Sequence, residues 1–109
     1  MEYIIRNLSK RLEDLLGRGK SILLLGPRQT GKTTLLARLK PDLAISFIQP
    51  RIRLQYELDP SSLADEVELL NKTIKQPLVI VDEVQKVPLI MDVVQDLIDR
   101  DLGQFILTG

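Results

Sequence analysis

The sequence predicts an α/β fold in which a mostly parallel β-sheet lies between two layers of helices. Short segments that are apolar at almost every position alternate along the chain with segments whose apolar residues recur at helical spacing. Fully apolar strands are typical of parallel sheets, which are covered on both faces. The chain has 109 residues, the length of a single domain, so we expect residues 1–109 to form one unit.

The predicted elements follow from these patterns in chain order. Four strands are predicted, at Ser21–Leu25, Ala44–Ile48, Leu78–Val81 and Gln104–Thr108. Four helices are predicted: from the cap residue Asn7 to the stop residue Gly17, from Gly31 to Lys40, from Asp59 to Ile74, and after Pro88. Between Arg51 and Tyr56 apolar and polar residues alternate, which predicts a half-exposed strand or an extended loop.

Composition excludes several kinds of chemistry. The chain has no Cys and no His, which excludes disulfides, thiolate nucleophiles, Ser-His-Asp triads and metal sites built on those side chains. Fifteen basic residues balance fifteen acidic ones, which argues against nucleic acid as a partner. We expect a cytoplasmic domain without a membrane partner, because the N-terminus lacks signal-peptide features and every apolar run is short.

One segment fits the phosphate-binding pattern G-x-x-x-x-G-K-[ST] at every fixed position. Its residues are Gly26, Pro27, Arg28, Gln29, Thr30, Gly31, Lys32 and Thr33, and Thr34 follows as a further candidate contact. An apolar strand precedes the segment and a helical pattern follows it, as the pattern requires. Backbone N–H groups of such a loop surround phosphate oxygens, Lys32 would reach the β- and γ-phosphates, and the Thr33 hydroxyl would bind Mg²⁺.

Two acids end the next apolar strand. Asp82 is expected to hold Mg²⁺ and Glu83 to polarise the attacking water, because consecutive strand residues face opposite ways. The exchange of these two roles stays open, as does the alternative that both carboxylates are merely solvated. Thr108 ends the last strand; if that strand lies beside the one bearing Asp82, its hydroxyl would reach the γ-phosphate or the water.

Three segments together, GPRQTGKTTLL, LVIVDEVQKVP and FILTG, resemble the prokaryotic AAA-type ATPases whose phosphate loop reads GPRQxGKT. The resemblance implies a P-loop NTPase three-layer sandwich that binds ATP and Mg²⁺ and hydrolyses ATP. It implies that Lys32 and Glu83 are catalytic, that Thr33 and Asp82 bind the metal and that Thr108 is a polar sensor. Gln85 matches the family without an assigned role.

The same resemblance implies that residues 1–109 are a partial AAA core, without its last strand and without the C-terminal domain of unknown function that usually follows. No arginine finger is assignable, and the oligomeric state stays open. The alternative is a truncated, non-enzymatic relic that binds nucleotide without turnover. Two weaker alternatives are a small-molecule kinase and a nucleic-acid-binding module using Arg51, Arg53 and Tyr56.

Overall fold

The structure, a computed structural model, describes residues 11–24, 36 and 38–109. Its centre is a four-stranded sheet of β1 (Ile22–Leu24), β2 (Leu43–Ser46), β3 (Leu78–Asp82) and β4 (Gln104–Thr108). The strands lie in the order β1-β4-β3-β2, and each neighbouring pair is parallel. The predicted α/β class and its parallel sheet are therefore confirmed.

Three helices and a 3₁₀ turn lie, among the described residues, in the connections between the strands. They are α1 (Pro50–Leu58), α2 (Ser62–Asn71), a 3₁₀ turn (Val84–Lys86) and α3 (Ile90–Asp99). Residues 11–17, Leu36 and Arg38 are also helical. The predicted helix start at Asn7 and most of the segment from Gly31 to Lys40 lie outside the described residues. Among the residues that are described, no helix has the length and apolar character needed to cross a membrane.

Apolar side chains pack against both faces of the sheet, because successive strand residues point to opposite faces. Buried residues of β3 and β4 on one face join residues of α1, α2 and α3 in a core that includes Val79, Val81 and Phe105. On the other face, Ile80 and Ile106 pack with Leu36. The described residues thus form the three layers expected from the sequence.

The alternating segment after Arg51 forms a helix, so the predicted strand or extended loop is wrong. Pro50 occupies the first turn, where its missing N–H costs nothing. Ile52 and Tyr56 are four residues apart and therefore share the helix face that meets the core, whereas Leu54 is 53% exposed. The period-two pattern arose because the one apolar residue between them faces solvent.

Element ends differ from the prediction in several places. Gly19, with φ of 75°, adopts the left-handed conformation that ends the helix over residues 11–17, a role we had expected of Gly17. The second strand ends at Ser46 rather than Ile48, and α2 ends before Ile74. Leu23 is 49% exposed because β1 is at the edge of the described sheet, so this strand is not covered on both faces.

Tyr56 anchors α1 to the core through both its ring and its hydroxyl. The ring centroid lies 5.6 Å from that of Phe47, in a tilted arrangement. The phenol donates a short hydrogen bond to the carboxylate of Glu66 on α2. Burial, followed by the hydrogen bond and the negative charge of Glu66, raises the pKa of Tyr56 well above its ordinary value.

This raised pKa predicts a loss of stability in strongly alkaline solution. Tyr56 contributes its full stabilisation below about pH 10, where an unfolded tyrosine begins to ionise, and loses it as the pH rises further. A Tyr3→Phe variant leaves Tyr56 as the one tyrosine of the chain. In that variant we expect phenolate absorbance to appear only together with unfolding measured by circular dichroism. Phenolate formation near pH 10 in a still folded protein would contradict the buried contact. Tyr56→Phe, which removes this phenol, is the control for the absorbance signal.

Candidate functional site

The carboxyl ends of the four strands meet at one edge of the sheet, and polar side chains end three of them. In register, Leu24 of β1 pairs with Thr108, Thr108 with Asp82, and Asp82 with Ser46. We call Ser46, Asp82 and Thr108 the polar edge. Ligands of parallel α/β sheets bind outside this end of the strands, so the polar edge is the natural place for a site.

Asp82 is the centre of the polar edge. The Thr108 hydroxyl donates to Asp82 Oδ1 at 2.6 Å, and the Ser46 hydroxyl lies 3.4 Å from Asp82 Oδ2. Thr108 is fully buried, whereas Asp82 is half-buried. A hydrogen bond to a charged acceptor contributes about 1.5–3 kcal/mol, which makes the Thr108 contact the stronger constraint.

The polar edge lies on the sheet face that also carries Leu36. Asp82 and Thr108 each follow, by two residues, the isoleucines Ile80 and Ile106 that pack against Leu36. Residues two apart in a strand share a face. Leu36, which follows the phosphate-loop motif by three residues, and the Asp82 carboxylate therefore lie on the same side of the sheet.

Thr108 is where the sequence placed it, at the end of a strand adjacent to the one bearing Asp82. Its hydroxyl proton is directed at the Asp82 carboxylate. The nucleotide contact predicted for Thr108 stays a prediction, to which the structure adds a second role: fixing the orientation of the acid beside it.

Glu83 lies immediately beyond β3 and has different partners from Asp82. Its backbone is in the left-handed region, with φ of 57° and ψ of 46°, and its side chain is 8% exposed. Non-glycine residues adopt this conformation rarely and at a cost of roughly 1–3 kcal/mol, and such strain is concentrated at functional sites. The Gln85 side-chain amide donates to Glu83 Oε2 at 2.5 Å.

The oxygen atoms of the polar edge suit a hard divalent cation. Mg²⁺ in nucleotide sites is typically bound by one or two protein oxygens together with phosphates and water, rather than by a cage of acids. Asp82 supplies one such carboxylate, oriented by Thr108. In the described ranges no three acidic residues gather into a metal-binding group.

The predicted phosphate-loop residues all lie outside the described residues. They are Gly26, Pro27, Arg28, Gln29, Thr30, Gly31, Lys32, Thr33 and Thr34. Their roles stay predictions. Leu24, the last described residue before them in the chain, lies at the end of β1 directly beside Thr108.

Ser46 is a member of the site that sequence reasoning missed. The signal in the sequence was a polar residue within the apolar stretch Ala44–Ile48, but only the pairing of Ser46 with Asp82 in the sheet places it at the site.

The residues suggested for nucleic-acid binding do not lie at the polar edge. Arg53 pairs with Glu57 at 3.6 Å on α1, and the Tyr56 ring is buried, so it offers no face for base stacking.

The Thr108–Asp82 hydrogen bond predicts a measurable loss of stability on Thr108→Val. Valine keeps the shape and strand propensity of threonine, but it removes the short hydrogen bond to Oδ1 of a half-buried carboxylate. We expect the free energy of unfolding, measured by urea denaturation, to fall by about 1–3 kcal/mol.

Thr73→Val is the matched control for this change. The Thr73 hydroxyl is exposed and lies 3.4 Å from a backbone carbonyl, so its loss should change stability by less than about 0.5 kcal/mol. Equal effects of the two substitutions would show that the contact with Asp82 does not orient the site.

Comparison with known proteins agrees with this geometry. A family model described as "AAA domain" matches residues 18–109. Two proteins described only as uncharacterized, from Mycobacterium bovis and Mycobacterium tuberculosis, are each 31% identical to this chain over 109 residues. These matches cover 95% of this chain but 23% of each relative, so the chain spans about a quarter of their length. No solved structure matches. Because the family match covers most of the chain and the sheet is parallel throughout, the chain belongs to the AAA domain family of nucleotide-binding domains and has a P-loop NTPase-like fold.

Proposed function

We propose that this chain binds ATP with Mg²⁺ and hydrolyses the bond between its β- and γ-phosphates, using a water molecule activated by Glu83. The observation that carries the proposal is the Asp82 carboxylate, held by Thr108 at the carboxyl edge of the sheet. Family membership supports nucleotide binding in general. The oxygen chemistry of the polar edge supports a magnesium-bound nucleotide in particular.

Strand order supports a shared site for the loop motif and the acid. Only β4 separates β1, which leads into the motif, from β3, which ends at Asp82. Neighbouring strands are about 4.8 Å apart, so the ends of β1 and β3 are separated by roughly 10 Å. The triphosphate of a nucleoside triphosphate, together with its cation, is long enough to bridge such a separation.

In this proposal each residue has one task. The backbone N–H groups of the loop from Gly26 to Thr33 bind phosphate oxygens, and Lys32 contributes a positive charge. Thr33 and Asp82 would hold Mg²⁺, which when bound offsets negative charge on the β- and γ-phosphates. Thr108 keeps the Asp82 carboxylate in one orientation.

Glu83 would act on the water rather than on the metal. Its partner within the described region is the Gln85 amide, whereas Asp82 is bonded to hydroxyls. Although Asp82 and Glu83 are consecutive, the left-handed backbone at Glu83 places their side chains in different surroundings. Different environments give neighbouring carboxylates different roles, which supports Asp82 as the metal ligand and Glu83 as the base.

The proposal predicts that Lys32→Ala weakens ATP binding. Loss of one charge-assisted contact to the phosphates should raise the Kd for ATP with Mg²⁺ by about 10- to 100-fold, measured by isothermal titration calorimetry. Lys72→Ala is the control, because this exposed lysine follows α2, near the opposite end of the strands. Equal affinity in wild type and Lys32→Ala would remove the nucleotide site. Tight ATP binding without phosphate release would instead favour a domain that binds nucleotide and does not turn it over.

A further inference from the structure

We propose that Gln85 is a positioning residue, which holds the Glu83 carboxylate in the orientation needed to activate water. The inference rests on the hydrolysis proposed above. It assigns a task to a residue of the DEVQ segment that neither the loop motif nor the acidic pair explains.

The contact itself is direct. Gln85 Nε2 donates to Glu83 Oε2 at 2.5 Å. Glu83 is buried and Gln85 is exposed, so the contact joins a buried carboxylate to a side chain at the surface. A hydrogen bond donated to a carboxylate is among the stronger polar contacts in proteins, and it fixes the plane of the acceptor group.

The backbone around Gln85 is held by buried neighbours and a turn hydrogen bond, which keeps the side-chain amide near the Glu83 carboxylate. Gln85 lies in the 3₁₀ turn, between Val84 and the following Val87, which are 3% and 2% exposed. The turn is closed by the Lys86 N–H, which donates to the Glu83 carbonyl at 3.1 Å. The two buried valines therefore fix the backbone of the turn from which the exposed Gln85 side chain contacts Glu83.

The chemistry of an amide suits this task better than that of a cation. An amide donor orients a carboxylate without itself carrying a full positive charge, so it weakens the basicity of the acid less than a cation in the same place would. Asp82 is served in the same way by the neutral hydroxyl of Thr108. Each of the two acids at the end of β3 thus has its own neutral donor, one from the next strand and one from the next turn.

The test compares Gln85→Met with Gln95→Met. Methionine keeps the length of the glutamine side chain and removes the donor. Gln95 is the matched control, because it is also exposed and donates to a carboxylate, Asp99 Oδ1, at 2.9 Å on α3. We expect Gln85→Met to lower the rate of ATP turnover about tenfold while the Kd for ATP changes less than twofold. Gln95→Met should change neither.

A second measurement requires no nucleotide. In the ligand-free protein, the side-chain amide protons of Gln85 should resonate downfield, as protons bonded to a carboxylate do, and should shift upfield in a Glu83→Gln variant. The Gln95 amide protons should keep their position in the same variant. Gln85 protons that do not respond to Glu83→Gln would overturn the contact and with it the inference.

The outcomes separate this inference from the function on which it rests. Wild-type turnover that Gln85→Met leaves unchanged overturns the inference alone. Parallel losses of turnover, ATP affinity and thermal unfolding midpoint in Gln85→Met would assign the residue to folding, and would also overturn it. Absence of turnover in the wild-type chain contradicts the proposed hydrolysis and removes the catalytic meaning of the contact, whatever the amide resonances show.

Discussion

The site depends on the parallel register between β3 and β4, which sets Thr108 beside Asp82. A slip of one residue between the two strands would put Asp82 and Thr108 on opposite faces of the sheet and would break their hydrogen bond. The same register, continued through β4 to β1, sets the end of β1 next to Thr108. A single pairing scheme therefore relates the acid, its hydroxyl donor and the strand that leads into the phosphate-loop motif.

Packing enforces this register from both sides of the sheet. Val79, Val81 and Phe105 are fully buried against the helices of one face, and Ile106 is fully buried on the other. Burial of each such side chain contributes about 1.5–3 kcal/mol, so a slip that exposed them would cost far more than any polar contact could return. The polar edge is thus positioned by the buried apolar residues of the same strands, as a preorganised site requires.

The sequence predicted the elements of the sheet well because their signals are local. Leu78–Val81 is a buried run followed by an acid, and the structure has a strand there that ends at Asp82. Strand order depends on contacts between distant segments, so the position of β4 beside β3 was only a condition in the prediction, and its position beside β1 was not predicted. The contact of Ser46 with Asp82 depends on that strand order, and the contact of Gln85 with Glu83 depends on the turn at Glu83, so neither could be predicted. Alternation misled at α1, where Tyr56 faces the core and Leu54 faces solvent.

The proposed function requires a metal–nucleotide complex to bind at the polar edge. Its most direct test is paramagnetic line broadening by Mn²⁺ bound with a non-hydrolysable ATP analogue, an effect that falls steeply with distance. We predict that the backbone amide resonances of Ser46, Asp82 and Thr108 broaden strongly, whereas those of Gln76 and Asp101, which are bonded to each other near the opposite ends of β3 and β4, stay sharp. Broadening centred on Gln76 and Asp101, or none at the polar edge when the analogue is bound, would contradict the account.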